Sequence, residues 1–228
     1  MKSFIRLNVI AEGQTEEHFV KDTLAGHLSN FNVDTRVRCV LTSKDKYKNY
    51  RGGLISYQKA KLDICTWLKS DPNEDARFTT MFDLYALPDD FPGNAESRKA
   101  NDPYIRVSII EKAMKEDIDD RRFIPYIQLH EFETFLFVSP DMLKVEYFNH
   151  EKSIARLNKI RSEFDNNAEL INDGDKTAPS KRIIQLIPEY SGSKVNVGAA
   201  VAGMIGIDTL RTNCRHFNDW LKTLESHL

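Results

Sequence analysis

Ile5-Arg6-Leu7-Asn8-Val9-Ile10-Ala11-Glu12-Gly13-Gln14-Thr15-Glu16 is the stretch that decides the fold. From Ile5 to Ala11 the residues are apolar on both faces except at Arg6 and Asn8, the pattern of a central strand covered by helices on each side. The strand stops on an acid, Gly13 permits a tight reversal, and a helix over residues 15–28 is predicted to follow. Phe19, Val20, Leu24 and Leu28 make its single apolar stripe, and Thr15 is its expected cap. Two later strand-like runs end the same way, residues 78–82 on Asp83 and residues 123–129 on Glu131. Parallel strands of an open α/β sheet bring their carboxyl ends to one edge, where ligands bind at the point of reversed strand order. Glu12, Asp83 and Glu131 are therefore expected to converge. Crowded carboxylates raise one another's pKa unless a hard divalent cation holds them, so the expected chemistry is magnesium-type phosphoryl transfer.

Working outward, residues 4–137 alternate strand-like and helix-like segments, which predicts βαβ units and a mainly parallel sheet. A second strand is expected over 36–42, a polar lysine-rich loop over 43–53, and a helix over 54–68 that stops at Ser70-Asp71-Pro72-Asn73. After the strand at 78–85, Pro88 and Pro92 impose a loop. Pro103 suits the first turn of a helix running to about 116, and residues 123–137 are read as one or two strands. Beyond Pro140 the pattern turns helical, over 151–164, 179–187, 195–205 and 214–226. The glycines and alanines between residues 192 and 206 point to close helix packing, and Trp220 and Leu224 are expected to face inward. The expected architecture is an α/β core over 1–140 with a helical C-terminal subdomain over 141–228 packed on it.

The 228 residues, 41% of them hydrophobic, suffice for one large domain or a domain with an appendage. No apolar run approaches the roughly 20 residues that span a bilayer. The N-terminus leads straight into a strand instead of a signal peptide, so a cytoplasmic location without membrane partners is expected. Cys39, Cys65 and Cys214 lack the close pairings of zinc sites and are read as reduced thiols. With 32 basic and 34 acidic residues the formal charge is -2, which excludes a strong overall attraction to polyanions. Contact with nucleic acid would fall to local patches. One is the loop bearing Lys44, Lys46, Tyr47, Lys48, Tyr50 and Arg51; the other includes Ser180-Lys181-Arg182 and Ser191-Gly192-Ser193-Lys194. Neither contains a complete P-loop or dinucleotide fingerprint, so ATP hydrolysis by this chain is not expected.

Each candidate also has an ordinary role. Glu16 and Glu17 would complement a helix macrodipole, and Asp83 would cap a turn. Asp89 and Asp90 would be solvated loop acids, with metal ligation in reserve. In an extended strand Glu131 and Glu133 share a face, which either opens into the site or pairs with Arg121 and Arg122. His130 is read as a hydrogen-bonded structural residue.

Glu12-Gly13-Gln14-Thr15-Glu16, Phe82-Asp83-Leu84-Tyr85-Ala86-Leu87-Pro88, His130-Glu131-Phe132-Glu133, Pro179-Ser180-Lys181-Arg182 and Cys214-Arg215-His216-Phe217-Asn218-Asp219-Trp220 together resemble a bacterial family, domain of unknown function 4276. That family is similar to the TOPRIM superfamily of topoisomerases, bacterial primases and OLD-type nucleases. The resemblance implies a TOPRIM-like sheet and a divalent-metal-dependent phosphodiester hydrolase that nicks or cleaves DNA or RNA, in bacterial defence or DNA repair. It places Glu12 and Asp83 in catalysis, joined by Glu131 from the strand-end reading, with Glu131 or Glu133 as the expected replacement for the superfamily's further aspartate. Mg²⁺ or Mn²⁺ would rest on Glu12, Asp83, Glu131, Glu133 and Glu16. The superfamily's Asp-x-Asp pair is broken here, with Tyr85 at the second position. This leaves a second reading open, a catalytically degenerate subunit that binds a partner ATPase. A third is phosphotransfer on a nucleotide.

Overall fold

The computed structural model describes residues 4–44, 49–51, 53–172 and 174–226, and of 41–44 and 49–51 the backbone alone. The chain opens with β1 (Ile5–Ala11), α1 (Gln14–Phe19), a π-helical turn (Val20–Leu24) and α2 (Ala25–Ser29), one continuous helical stretch. Next come β2 (Val33–Cys39), the hairpin strands β3 (Leu41–Lys44) and β4 (Asn49–Arg51), α3 (Tyr57–Ser70) and β5 (Ala76–Asp83). The short α4 (Asn94–Ser97), the long α5 (Pro103–Ile118) and two-residue strands β6 (Phe123–Ile124) and β7 (Ile127–Gln128) complete the sheet region. The rest is helical: 3₁₀ segments at Phe132–Val138, Pro140–Val145 and Ala168–Leu170, then α6 (Glu151–Glu163), α7 (Pro179–Leu186), α8 (Tyr190–Ile205), α9 (Ile207–Asn213) and α10 (Arg215–Glu225).

The sheet runs β2-β1-β5-β6, with β7 also on β5, and every pairing in it is parallel. The expected mainly parallel α/β architecture is what the chain adopts. From β1 the path moves to β2 on one side, then returns across β1 to β5 on the other. Strand order therefore reverses between β1 and β5, the crevice where open α/β sheets bind ligands. Glu12 and Asp83 stand at the two ends that flank it. The register fixes this, because Ala11 lies opposite Met81 and the Glu12 N–H donates to the Met81 carbonyl at 3.0 Å.

Alternation along β1 divides its side chains between two buried clusters. Ile5, Leu7 and Val9 pack with Phe19, Leu24, Phe135, Val201 and Leu221. Ile10 instead joins Phe78, Phe82, Ile64 and Val107 beneath α3 and α5. The first cluster runs from β1 to Leu224, so the helices beyond residue 140 cover one face of the sheet and share its core. α8 lies close on the first helical stretch. A Cβ at Gly198 would stand 3.0 Å from the Tyr190 hydroxyl and 3.2 Å from Thr15 Cγ2, and one at Gly203 would stand 2.8 Å from Thr23 Oγ1. Trp220 faces inward as expected, stacking on Tyr126 at 4.2 Å and donating from Nε1 to Thr79 Oγ1 at 2.9 Å.

Several expectations are corrected. The first helix is capped at Gly13, two residues before the expected Thr15. Part of the 43–53 loop is a hairpin. α9 lies in a stretch left unassigned in the sequence, because its seven residues carry too few apolar positions to show a period. Most consequential, residues after Gln128 are not strand. His130 adopts a left-handed conformation with φ 64°, and Phe132–Val138 coil into a buried 3₁₀ helix. Alternation of polar and aromatic residues there reflects a helix buried all round, which strand periodicity mimics over so short a span.

Candidate functional site

The carboxyl edge between β1 and β5 gathers five acids. Glu12 and Asp83 are half-buried, while Glu16, Glu131 and Glu133 are 6%, 6% and 4% exposed. Glu12 Oε2 accepts the Asp83 N–H at 3.0 Å, tying the two strand ends together. Glu16, in the first turn of α1, accepts the Gly13 N–H at 2.8 Å, so the helix start holds its carboxylate over the turn. Glu131 reaches the cluster because β5 and the chain beyond β7 stay paired past their formal ends. The Leu84 N–H donates to Gln128 O at 3.0 Å and the Tyr85 N–H to His130 O at 2.7 Å.

Each acid differs in what satisfies it. Glu131 accepts the Ser180 N–H at 2.7 Å and the Ser180 hydroxyl at 2.8 Å, at the start of α7. Glu133 accepts the Tyr190 hydroxyl at 3.1 Å and pairs with Lys194 Nζ at 3.1 Å, both from α8. Asp83 Oδ1 is buried and has no hydrogen-bond partner among the described residues. Burying such an oxygen as an anion is costly unless something pairs with it. None of the five acids is paired with an arginine in the described ion pairs; Arg121 pairs with Glu74 and Arg122 with Asp120.

Electrostatics mark the cluster as one unit. Burial lifts the Glu12 carboxyl to about 7, with Glu131 adding to the rise and the Asp83 and Leu54 N–H groups restraining it. Glu16 goes to about 8, through burial first and then Glu12, against the N–H groups of Gly13 and its own residue. Asp83 is pushed well above the carboxylate range by burial and then by Glu16, Glu12, Glu133 and Glu131. Burial and Glu133 raise Glu131 despite Ser180 and Lys194. Burial works against the Lys194 ammonium, yet Glu133, with Glu131 and Asp83 behind it, outweighs that and raises its pKa. Perturbed carboxyls concentrate at functional sites, which makes this group at the reversal of strand order the candidate site of the chain.

The donors are all carboxylate oxygens, the chemistry of a hard cation, and the partnerless Asp83 Oδ1 is the atom such an ion would satisfy. Glu12, Asp83 and Glu16 are the acids with no side-chain partner in the described hydrogen bonds and ion pairs. Glu131 and Glu133 are engaged by Ser180, Tyr190 and Lys194. Among the described residues, no three His, Cys, Asp or Glu side chains stand as a ready-made metal-ligand set.

Other candidates go elsewhere. Asp90 accepts the Tyr57 and Gln58 N–H groups at the start of α3, and Asp89 pairs with Arg98. Glu17 pairs with Lys21 and accepts the Cys39 thiol at the end of β2. His130 is structural as expected, its Nε2 lying 3.1 Å from the Glu169 carbonyl oxygen. Lys181 is exposed beside Ser180. Arg182 is spent on local structure, donating to Thr177 O at 2.6 Å and Asn172 Oδ1 at 2.8 Å. Lys46 and Lys48 lie outside the described residues, and Lys44 and Arg51 are described in backbone only, on β3 and β4.

Sequence reasoning missed Ser180, Tyr190 and Lys194 as partners of the acids. Ser180 and Lys194 belong to the segments read as a basic patch, Tyr190 to neither, and only the docking of α7 and α8 brings the three to the acids. A cavity of about 350 Å³ between α5 and α10, lined by Glu111, Tyr126 and His216, is separate, since none of the five acids lines it. His216 pairs there with Glu111 at 2.9 Å.

A family model described as "Domain of unknown function (DUF4276)" matches residues 11–225. No curated protein matches the chain. Among solved structures, the C-terminal region of the OLD protein of Xanthomonas campestris pv. campestris matches over 99% of this chain and 99% of that one, at 15% identity and a TM-score of 0.34. No helix of the described residues is long and apolar enough to cross a membrane.

Proposed function

The chain belongs to the DUF4276 family, and we propose that its five-acid cluster serves divalent-metal-dependent hydrolysis of a phosphodiester in DNA or RNA. The observation that carries this reading is the partnerless, buried Asp83 Oδ1 inside a group of mutually perturbed carboxylates at the β1/β5 crevice. Glu12, Asp83 and Glu16 would hold Mg²⁺ or Mn²⁺, which would polarise a phosphodiester oxygen and lower the pKa of a bound water.

The chain's own groups have definable parts in this. Without an ion burial holds the Glu12 carboxyl at about 7, so a bound cation would displace its proton while Oε2 stays anchored on the Asp83 N–H. Ser180 fixes Glu131 in one rotamer through two bonds. Lys194 offsets part of the negative charge and limits how strongly a polyanion is repelled from the edge.

The test is a pair of measurements on the purified chain. Calorimetric titration with Mn²⁺ is expected to show binding in the wild type that Asp83→Asn and Glu12→Gln abolish or weaken at least tenfold. Cleavage of labelled DNA and RNA is expected to require the metal, stop in EDTA, and fall by about 10²–10⁴ in both variants. A wild type that binds no Mn²⁺, or variants that cleave as well as it does, would overturn the reading. Tyr85 in the place of the superfamily's second aspartate supports one alternative, a degenerate subunit for a partner ATPase. That reading predicts no Mn²⁺ binding and co-purification with such a partner.

A further inference from the structure

α8 brings two side chains to one oxygen of the cluster. Tyr190 and Lys194 stand about one helical turn apart and so share a face, and both reach Glu133 Oε1, the hydroxyl at 3.1 Å and the ammonium at 3.1 Å. Packing fixes this delivery. Gly198 leaves room for the Tyr190 hydroxyl, which a Cβ there would meet at 3.0 Å, and lets α8 approach Thr15 of α1. Ser193, beside Lys194, is held by the Tyr147 hydroxyl at 2.6 Å. Lys194 has no second ion-pair partner among the described residues, yet Glu131 and Asp83 also act on its charge from behind Glu133. The five acids are thereby split. Glu131 and Glu133 are engaged by side chains of α7 and α8, Glu131 on both oxygens. Glu12 and Glu16 accept backbone N–H groups, and Asp83 Oδ1 accepts nothing.

We propose that this division sets the metal stoichiometry: Glu12, Glu16 and Asp83 take one divalent ion, and the Lys194 ammonium stands at Glu133 in the place of a second, so that each chain binds a single ion. The inference deepens the hydrolase reading and rests on it for the first ion. Phosphoryl-transfer sites that use two ions hold them about 3.5–4 Å apart, and Glu131 and Glu133 are the acids left to hold a second one here. Magnesium binds oxygen at about 2.1 Å. An ion on Glu133 Oε1 would therefore lie within roughly 5 Å of Lys194 Nζ, which is 3.1 Å from that oxygen. Like charges at this range repel several times more strongly inside a protein than in water. The ammonium is tethered to a helix and always present, whereas a second ion must be captured from solution against that repulsion. Lys194 thus supplies positive charge to its half of the cluster as a compact ammonium with three N–H donors.

Manganese is the probe, and the readout is the number of ions bound. Calorimetric titration of the purified chain, with bound Mn²⁺ counted by electron paramagnetic resonance, is expected to give one ion per chain, hyperbolic saturation and no spin coupling. Lys194→Gln removes the ammonium while keeping a donor for Glu133. It should admit a second ion, raising the count to two and producing a spin-coupled pair. Lys194→Arg retains the charge and should stay at one. Adding Glu133→Gln to Lys194→Gln should return the count to one, because the second ion loses its ligand. Two ions in wild type, or a count of one in folded Lys194→Gln, would overturn the proposal and leave the hydrolase reading standing. No Mn²⁺ bound by wild type would overturn both. Should Lys194→Gln fail to fold, as judged by its urea midpoint, the wild-type count and that of Lys194→Arg decide.

Discussion

Glu12→Gln should make the protein more stable at neutral and alkaline pH, a result opposite to that expected of most buried substitutions. In the folded chain the Glu12 carboxyl is raised to about 7 from an ordinary value of 4.5. The native state therefore binds this proton more tightly than the unfolded chain does. Below pH 4.5 both states hold it and Glu12 costs nothing. As pH rises the unfolded state ionises first, and stability falls until the folded group has also ionised, above pH 7. At about 1.4 kcal/mol per unit, the full loss from Glu12 comes to about 3 kcal/mol by pH 8. Glutamine keeps the carbonyl that accepts the Asp83 N–H at 3.0 Å and removes the charge. It also relieves Glu16 and Asp83, both of which Glu12 pushes upward. Urea unfolding, followed by the fluorescence of Trp67 and Trp220, is the assay. In EDTA the variant should exceed the wild type by up to about 3 kcal/mol at pH 8, and the gap should close near pH 4.5. Manganese should narrow it from the other side, since a ligand at a hundred times its dissociation constant adds about 2.7 kcal/mol to the form that binds it. A variant less stable than wild type at pH 8, or a gap that does not vary with pH, would show that Glu12 is an ordinary hydrogen-bonded residue.

Four further outcomes follow from the same geometry. Ser180→Ala removes the hydroxyl donor 2.8 Å from Glu131 but leaves the N–H, and should cost about 1–2 kcal/mol in urea unfolding. Gly203→Val places carbon where a Cβ already meets Thr23 Oγ1 at 2.8 Å, forcing α8 off the first helical stretch; a loss of about 1–3 kcal/mol is expected in the same assay. Trp220→Phe keeps a ring on Tyr126 but leaves Thr79 Oγ1 without its donor, and should lower stability by about 1–3 kcal/mol. Lys194→Met removes the cation that restrains the rise of Glu131, so stability should fall more steeply with rising pH than in wild type. An unchanged pH profile in that variant would show that the lysine does not offset the cluster's charge.

What the sequence made legible was what depends on local pattern. The doubly covered strand Ile5–Ala11, the apolar stripe through Phe19 and Leu24, and Pro103 at a helix start all state their conformations in the residues beside them. Because β1 and β5 are parallel neighbours, an acid after each was enough to place Glu12 and Asp83 together. The failures lie where long-range packing overrides local period. Residues 130–137 alternate like a strand, yet His130 turns the chain and the aromatics pack on all sides of a 3₁₀ helix around Phe19 and Phe217. Ser180 and Lys194 read as surface residues because nothing near them in the chain reveals that α7 and α8 dock over the acids.

The ordinary roles considered for these acids can be weighed against what the fold does with them. A glutamate that merely complements a helix dipole finds a cation on its own helix, as Glu17 does in bridging to Lys21 at 2.7 Å. Glu16, one residue away, is 6% exposed and carried to about 8. A turn-capping aspartate satisfies its oxygens on nearby N–H groups, as Asp90 does on Tyr57 and Gln58. Asp83 instead leaves Oδ1 buried without a partner and receives the repulsion of four other carboxylates. Since a domain's whole stability is about 5–15 kcal/mol, several kcal/mol lost at one crevice is a substantial fraction of it. Apolar or amide residues of similar size at these positions would fold more stably. Such a concentration of destabilising charge at the switch point of the sheet differs from the structural roles that the same residue types play elsewhere in this chain, and it is the ground on which a cation-binding role is proposed for these acids.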